Sequence, residues 1–231
     1  MAYAFVQGAT PATATGTTGS ITYTSNVTLG NLLVFVLIAA ASGTPTTISD
    51  GGDTVLTPVA WGQCDGYGNS WGAIYCAVVG AGTAGTKATW SATLPAGAGK
   101  AMFAYEYSGN AAAGSEVDQG TVWKNLSAAG TAYSSNSLTP ANANELAFAV
   151  LVGSASITTT WSGGYTARDS VVQGSNFYAS TADQVLSGTP VTTASGTTSA
   201  NSKSGCAECL FVPSGGVVVV QPQQMMMGVG S

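Results

Sequence analysis

Hydrophobic and polar residues alternate with a period of two along most of this chain, and glycine or proline interrupts the pattern roughly every ten residues. That rhythm predicts short antiparallel strands packed as an all-β sandwich or jelly roll. The predicted strands fall at Ala2–Gln7, Ser20–Thr24, Leu32–Ala40, Val55–Trp61, Trp71–Val79, Lys87–Ser91 and Ala101–Ser108. A second set falls at Gly120–Trp123, Glu145–Gly153, Thr158–Trp161, Tyr165–Val172, Asn176–Leu186, Val191–Ala194 and Gly205–Val212. Turn residues stand between them at Asp50-Gly51-Gly52-Asp53, Gly66-Tyr67-Gly68-Asn69, Gly97-Ala98-Gly99 and Ser162-Gly163-Gly164. Alanine is abundant, yet Thr, Gly and Val break every window in which a helical stripe could form.

The two sets carry a weak internal duplication, spanning about 25–109 and 135–214. Ser25-Asn26-Val27-Thr28-Leu29-Gly30-Asn31-Leu32 runs into an apolar strand, as does Ser135-Asn136-Ser137-Leu138-Thr139-Pro140 followed by Asn144-Glu145-Leu146. A Thr-rich stretch and a Gly-Gly turn follow in each half, then an aromatic strand, then Tyr105-Glu106-Tyr107-Ser108-Gly109 or Phe211-Val212-Pro213-Ser214-Gly215. Each half is only about 85 residues, so the expectation is one interleaved jelly roll rather than two small sandwiches. Its domain plan is an N-terminal strand and linker over 1–19, a sandwich over 20–214 and an extended arm over 215–231. The expected core aromatics are Phe35, Trp61, Tyr75, Trp90, Phe103, Tyr105, Phe148 and Tyr178.

The arm differs from everything before it. Val217, Val218, Val219 and Val220 form an uncharged run of high β propensity, and Met225, Met226 and Met227 form an adaptable apolar triplet. Fully extended, it reaches roughly 55 Å. It reads either as a last strand of its own sandwich or as an arm that adds a strand to a neighbouring subunit.

Composition narrows the chemistry. The chain has no histidine, and 6% of its residues are charged, with a formal net charge of −5. Histidine is the commonest general base, so a Ser-His-Asp triad is excluded outright. The five basic residues, Lys87, Lys100, Lys124, Arg168 and Lys203, are scattered, which argues against nucleic acid as a partner. The longest apolar run, Leu32–Ala41, covers about half a membrane crossing. The N-terminal residues lack the basic and apolar regions of a signal peptide, so the expectation is a soluble chain made in the cytoplasm.

Several site readings follow from the residues. Glu106 and Glu208 sit near matching places in the two halves, which suggests a paired carboxylate site, although solvent-facing strand positions are the favoured reading. Cys64, Cys76, Cys206 and Cys209 include a single CxxC and are read as buried free thiols rather than a zinc site. Asp50, Asp53, Asp65 and Asn69 read as turn residues, and Lys203-Ser204 as mere sequence neighbours. Asn26 and Asn125 begin glycosylation-type triplets. Trp71, Trp123 and Trp161 are candidates for stacking on sugars, against the commoner fate of core filling. No catalytic residue, cofactor or metal is expected, and the chain is not expected to be an enzyme.

Gly30-Asn31-Leu32-Leu33-Val34-Phe35-Val36, Tyr105-Glu106-Tyr107-Ser108-Gly109 and Asn142-Ala143-Asn144-Glu145-Leu146-Ala147-Phe148 resemble β-sandwich domains in hypothetical proteins of bacteriophages and bacteria. The likeness covers about residues 20–214, and its motifs are structural. It implies a virion protein of the capsid decoration (cement) type, present in repeated copies, with the major capsid protein or other virion subunits as partners. The alternatives are a carbohydrate- or host-recognition module of a tail fibre or cell surface, and a self-assembling extracellular filament subunit.

Overall fold

The computed structural model describes residues 2–40, 47–49, 58–64, 70–93, 99–121, 123–126, 128–155, 157–175 and 177–215. The turns assigned to 50–53, 66–69 and 97–98, and the arm from 216 onward, lie outside these residues.

The first nine strands are β1 (Ala4–Gly8), β2 (Ala12–Ala14), β3 (Thr18–Thr22), β4 (Leu32–Ala39), β5 (Thr47–Ser49), β6 (Ala60–Gln63), β7 (Trp71–Val78), β8 (Thr89–Thr93) and β9 (Lys100–Ser108). The next nine are β10 (Val117–Gly120), β11 (Lys124–Asn125), β12 (Gly130–Ser134), β13 (Leu146–Gly153), β14 (Thr159–Trp161), β15 (Thr166–Gln173), β16 (Phe177–Val185), β17 (Ser195–Ser202) and β18 (Gly205–Phe211). All sheet pairings are antiparallel.

The pairing of the first nine repeats in the second. A six-stranded sheet in the order β1-β9-β4-β7-β6, with β2 also on β9, is matched by β10-β18-β13-β16-β15, with β11 also on β18. A three-stranded sheet β3-β8-β5 is matched by β12-β17-β14. Among the described residues no sheet mixes strands of the two sets, so the halves do not interleave as a jelly roll. Each half is instead a small sandwich of its own.

The reason lies in the central strands. All eight residues of β4 and all eight of β13 are buried, so both faces of each large sheet are covered. One face of β4 (Leu33, Phe35, Leu37) packs with Ile21, Ile48 and Trp90 of the small sheet. Phe35 and Trp90 stack with centroids 5.0 Å apart. The other face (Leu32, Val34, Val36, Ile38) packs with Leu146, Phe148, Val150 and Val152 of the second large sheet. The second half repeats the scheme outward, with Ala147, Ala149 and Leu151 under Tyr133 and Tyr165. Four layers result: small sheet, large sheet, large sheet, small sheet. The second cover of each large sheet is the large sheet of the other half.

Local signals placed most strands within two residues of expectation. The polar strand β17, Ser-Gly-Thr-Thr-Ser-Ala-Asn-Ser, was expected one segment earlier at Val191–Ala194. Likewise Gly120–Trp123 was expected where β10 ends and the connection to β11 begins. Among the expected core aromatics Trp61 is the exception: it lies on edge strand β6 and is 47% exposed.

Candidate functional site

The two matched carboxylates are neither solvent-facing nor a pair. Glu106 and Glu208 are both fully buried, which overturns the surface reading. Glu106 faces Leu33 and Glu208 faces Ala149, the outward faces of the two large sheets, so both sheets and the core between them separate the two. Leu32 pairs with Tyr107 and Leu146 with Phe211, which makes Leu210 the counterpart of Glu106. Each acid holds its own surroundings. Glu106 accepts from Thr28 N at 2.8 Å, Asn31 Nδ2 at 2.6 Å and Gln7 Nε2 at 2.6 Å. Glu208 accepts from Ser135 Oγ at 2.8 Å, Ala194 N at 2.9 Å, Thr192 Oγ1 at 3.0 Å and the Tyr165 hydroxyl. Burial, then the Glu208 charge, raises the Tyr165 phenol far above its ordinary range. These are buried acids satisfied by internal donors, the arrangement that burial of a charge requires.

The richest polar cluster lies on the seam between the halves. Asp183 of β16 receives a two-pronged contact from Arg168 of β15, Nε to Oδ2 at 2.6 Å and Nη2 to Oδ1 at 2.8 Å, and a third bond from the Tyr107 hydroxyl of β9. Tyr105 donates to Asp169 Oδ2 at 3.0 Å and shares a bond with Thr181 Oγ1 at 2.5 Å. The Arg168 guanidinium lies 4.1 Å from the centre of the Phe5 ring, a cation–π contact. Burial foremost, then the neighbouring carboxylates, pushes both tyrosine phenols up, so each keeps its proton and can donate it to a carboxylate. The cluster ties β9 of the first half to β15 and β16 of the second through directional bonds.

On the opposite side of the seam Trp123 is buried, correcting its place among the sugar-stacking candidates. Its indole donates to Gly72 O at 3.1 Å and lies so close that a Cβ on Gly72 would stand 2.4 Å from the ring. Trp161 is likewise engaged, donating to Ser180 Oγ at 3.0 Å. The aromatic surface that does reach solvent is Trp61, stacked on Trp71 at 5.6 Å and 20°. Sequence spacing had no means of finding this pair, because the residues join diagonally across the β6–β7 ladder, Trp71 standing two residues from the partner of Trp61.

The remaining candidates are structural. Cys64, Cys76, Cys206 and Cys209 are buried thiols, not joined in disulfides. Cys206 and Cys209 point to opposite faces of β18 and into different cores, so the CxxC cannot close on itself. Burial, the largest influence, raises the thiols of Cys76, Cys206 and Cys209 well above their ordinary value. Ser204 is buried, and Asn125 Nδ2 donates to Gln63 O at 3.0 Å. Among the described residues no group of three or more Cys, Asp or Glu is arranged to hold a metal ion, and no helix is long and apolar enough to cross a membrane.

Two features of the surface bear on binding. The outer strands β1 (Ala-Phe-Val-Gln-Gly) and β6 (Ala-Trp-Gly-Gln) carry no charged residue and expose Phe5, Val6 and Trp61. The chain also leaves the described fold beside the start of β1. Ser214 N donates to Gly109 O at 2.6 Å, and Asn110 bridges Pro213. A Cβ on Gly109 would lie 2.4 Å from Ala2 O, and its φ of 95° is a left-handed one that favours glycine. The first strand, the crossing between halves and the exit toward 216–231 therefore meet at one corner. Compared with protein-family models, with curated proteins and with solved structures, the chain matches none of them.

Proposed function

We propose that this chain is a structural subunit of a repeating assembly, of the phage capsid decoration type, that docks on neighbouring subunits through its C-terminal arm and its open sheet edges. The observation that carries this reading is the pair of uncharged outer strands. Proteins that stay solitary commonly guard such edges with lysine, proline or inward charge; β1 and β6 have no charge or proline within them, and their guards are a bulge between Phe5 and Gln7 in β1 and the shortness of β6. The exit of the chain beside β1 supports the arm reading, since Val217, Val218, Val219 and Val220 begin two residues beyond Gly215. Strand addition would supply main-chain hydrogen bonds, and Met225, Met226 and Met227 would fill irregular apolar surface on the partner. Repetition around a shell multiplies a modest contact into firm attachment. In this reading the partner is the major capsid protein or another virion subunit, no cofactor is needed, and no reaction is catalysed.

Deletion of Gly216–Ser231 tests it. The shortened chain is expected to keep the far-ultraviolet spectrum and thermal transition of the full chain while losing incorporation into particles. Full occupancy after the deletion would refute the arm as the docking element. The exposed Trp61–Trp71 stack favours a second reading, a carbohydrate- or host-recognition module. Saturable quenching of tryptophan fluorescence by saccharides, lost in Trp61→Ala, would support it over the first.

A further inference from the structure

The loop before β13 hangs on two carboxylates. Asp118, the bulge residue of β10, accepts Ala141 N on Oδ2 at 3.1 Å, and Glu145 accepts Asn142 N on Oε1 at 2.8 Å and Asn142 Nδ2 at 3.0 Å. Two acids thus hold consecutive backbone amides of one loop, and Asp118 lies near enough to act on Glu145 both as a charge and as a hydrogen-bonding side chain. Glu145 is fully buried and Asp118 nearly so, yet Glu145 Oε2 and Asp118 Oδ1 meet no donor. The first half solves the same problem differently. There both oxygens of Glu106 are matched, Oε1 by Thr28 N and Asn31, Oε2 by Gln7. Two neighbouring buried carboxylates, each with an oxygen that meets no donor, carry a cost that a single shared proton removes.

We propose that Glu145 and Asp118 share one proton and form a latch that holds β10 and the 139–145 loop on the sandwich, and that loss of this proton releases them. β10 is the strap over the strand that leads out to the arm. Val117 and Gln119 pair with Phe211 and Leu210, and Val212 N donates to Glu116 O at 2.8 Å. Gln119 Nε2 ties the strap to the loop at Thr139 O, 2.5 Å away. Opening the latch would therefore loosen the root of the arm.

The charges around the pair act in one direction. Burial foremost, opposed by the Asn142 bonds and reinforced by Asp118, raises the Glu145 carboxyl from 4.5 to about 7. Glu116, the residue before β10, has its own Oε2 buried and unmatched. The phenol of Tyr3 lies within the field of Glu116 and Glu145 and is itself pushed far up, so it stays neutral. Cys76 of β7 faces Glu116, and burial keeps it neutral too. Because the folded value of Glu145 is the higher one, the folded state binds the proton more tightly. Its contribution is complete below about 4.5 and is lost as the pH rises through about 7.

The full chain, labelled for carboxyl and amide NMR, tests this between pH 5 and 8. The Glu145 carboxyl is expected to titrate near neutrality. Protection of the Ala141, Asn142 and Gln119 amides, corrected for intrinsic exchange, is expected to fall at least about tenfold over the same interval. In Glu145→Gln the amide can donate to Asp118 Oδ1 permanently, so the transition should vanish and protection at pH 8 should match that at pH 5. Asp118→Asn supplies the same donor from the other side and should behave alike. A Glu145 carboxyl titrating in the ordinary acidic range would overturn the latch, as would a transition that survives in both amide variants.

Discussion

The two sides of the central seam occupy matching places in a repeated backbone and are filled with opposite chemistry. Val34 lies between Tyr105 and Cys76, and its counterpart Phe148 lies between Cys209 and Asp183. Where β9 meets β15 and β16, tyrosines therefore face Asp169, Thr181 and Asp183 with Arg168 beside them. Where β18 meets β6 and β7, Cys209 and Cys76 share an apolar core, and Trp123 fills the space against Gly72. Dry packing supplies most of the adhesion per area, whereas a hydrogen-bonded cluster mainly dictates which surfaces may meet. The seam thus holds on one side and selects on the other, and the halves cannot exchange places.

Breaking the dry side should cost most. Trp123→Ala is expected to lower stability by about 3–5 kcal/mol, read from the denaturant midpoint, because it leaves a large cavity and an unmatched Gly72 carbonyl. On the polar side, Asp183→Leu removes the acceptor of Arg168 and Tyr107. With Arg168 24% exposed and able to reach water, the loss should be about 2–3 kcal/mol, smaller when Tyr107→Phe is added. A loss equal to that of Trp123→Ala would mean that the polar side carries as much adhesion as the dry one. Gly72→Ala should cost about 1–2 kcal/mol by pushing the indole aside, and the penalty should disappear in the Trp123→Ala background. The smallest effect concerns the thiols. At pH 8 Cys76, Cys206 and Cys209 should resist a thiol reagent until the chain unfolds, since burial keeps them protonated. Rapid labelling in the native state would show that the seam opens.

Strands with a strong apolar signature were legible from local pattern alone. Leu32–Ala39 and Leu146–Gly153 stand within a residue of where alternation and β-branching put them. The polar strand β17 was not, because its Ser and Thr side chains gain their place from pairing with β12 and β14, and no hydrophobic rhythm announces that. The carboxylates were misread for a related reason. A lone glutamate in a strand usually faces water, and the donors that make Glu106 tolerable inside come from Gln7, Thr28 and Asn31, 75 or more residues away in the chain. The exposed Trp61–Trp71 stack and the orphan oxygens of Glu145 and Asp118 were invisible for the same cause.

Local physics on its own determined the all-β character of this protein, the turn at Ser162-Gly163-Gly164 and the order in which the two halves repeat, since period, propensity and glycine placement act within a few residues. How the halves meet was decided only in three dimensions. A strand apolar on both faces says that two covers are needed, but not where they come from. The partner sheet, the inward place of Glu106 and Glu208 and the unequal sides of the seam depend on residues brought together from distant parts of the chain, and their free energy exists only once those residues touch.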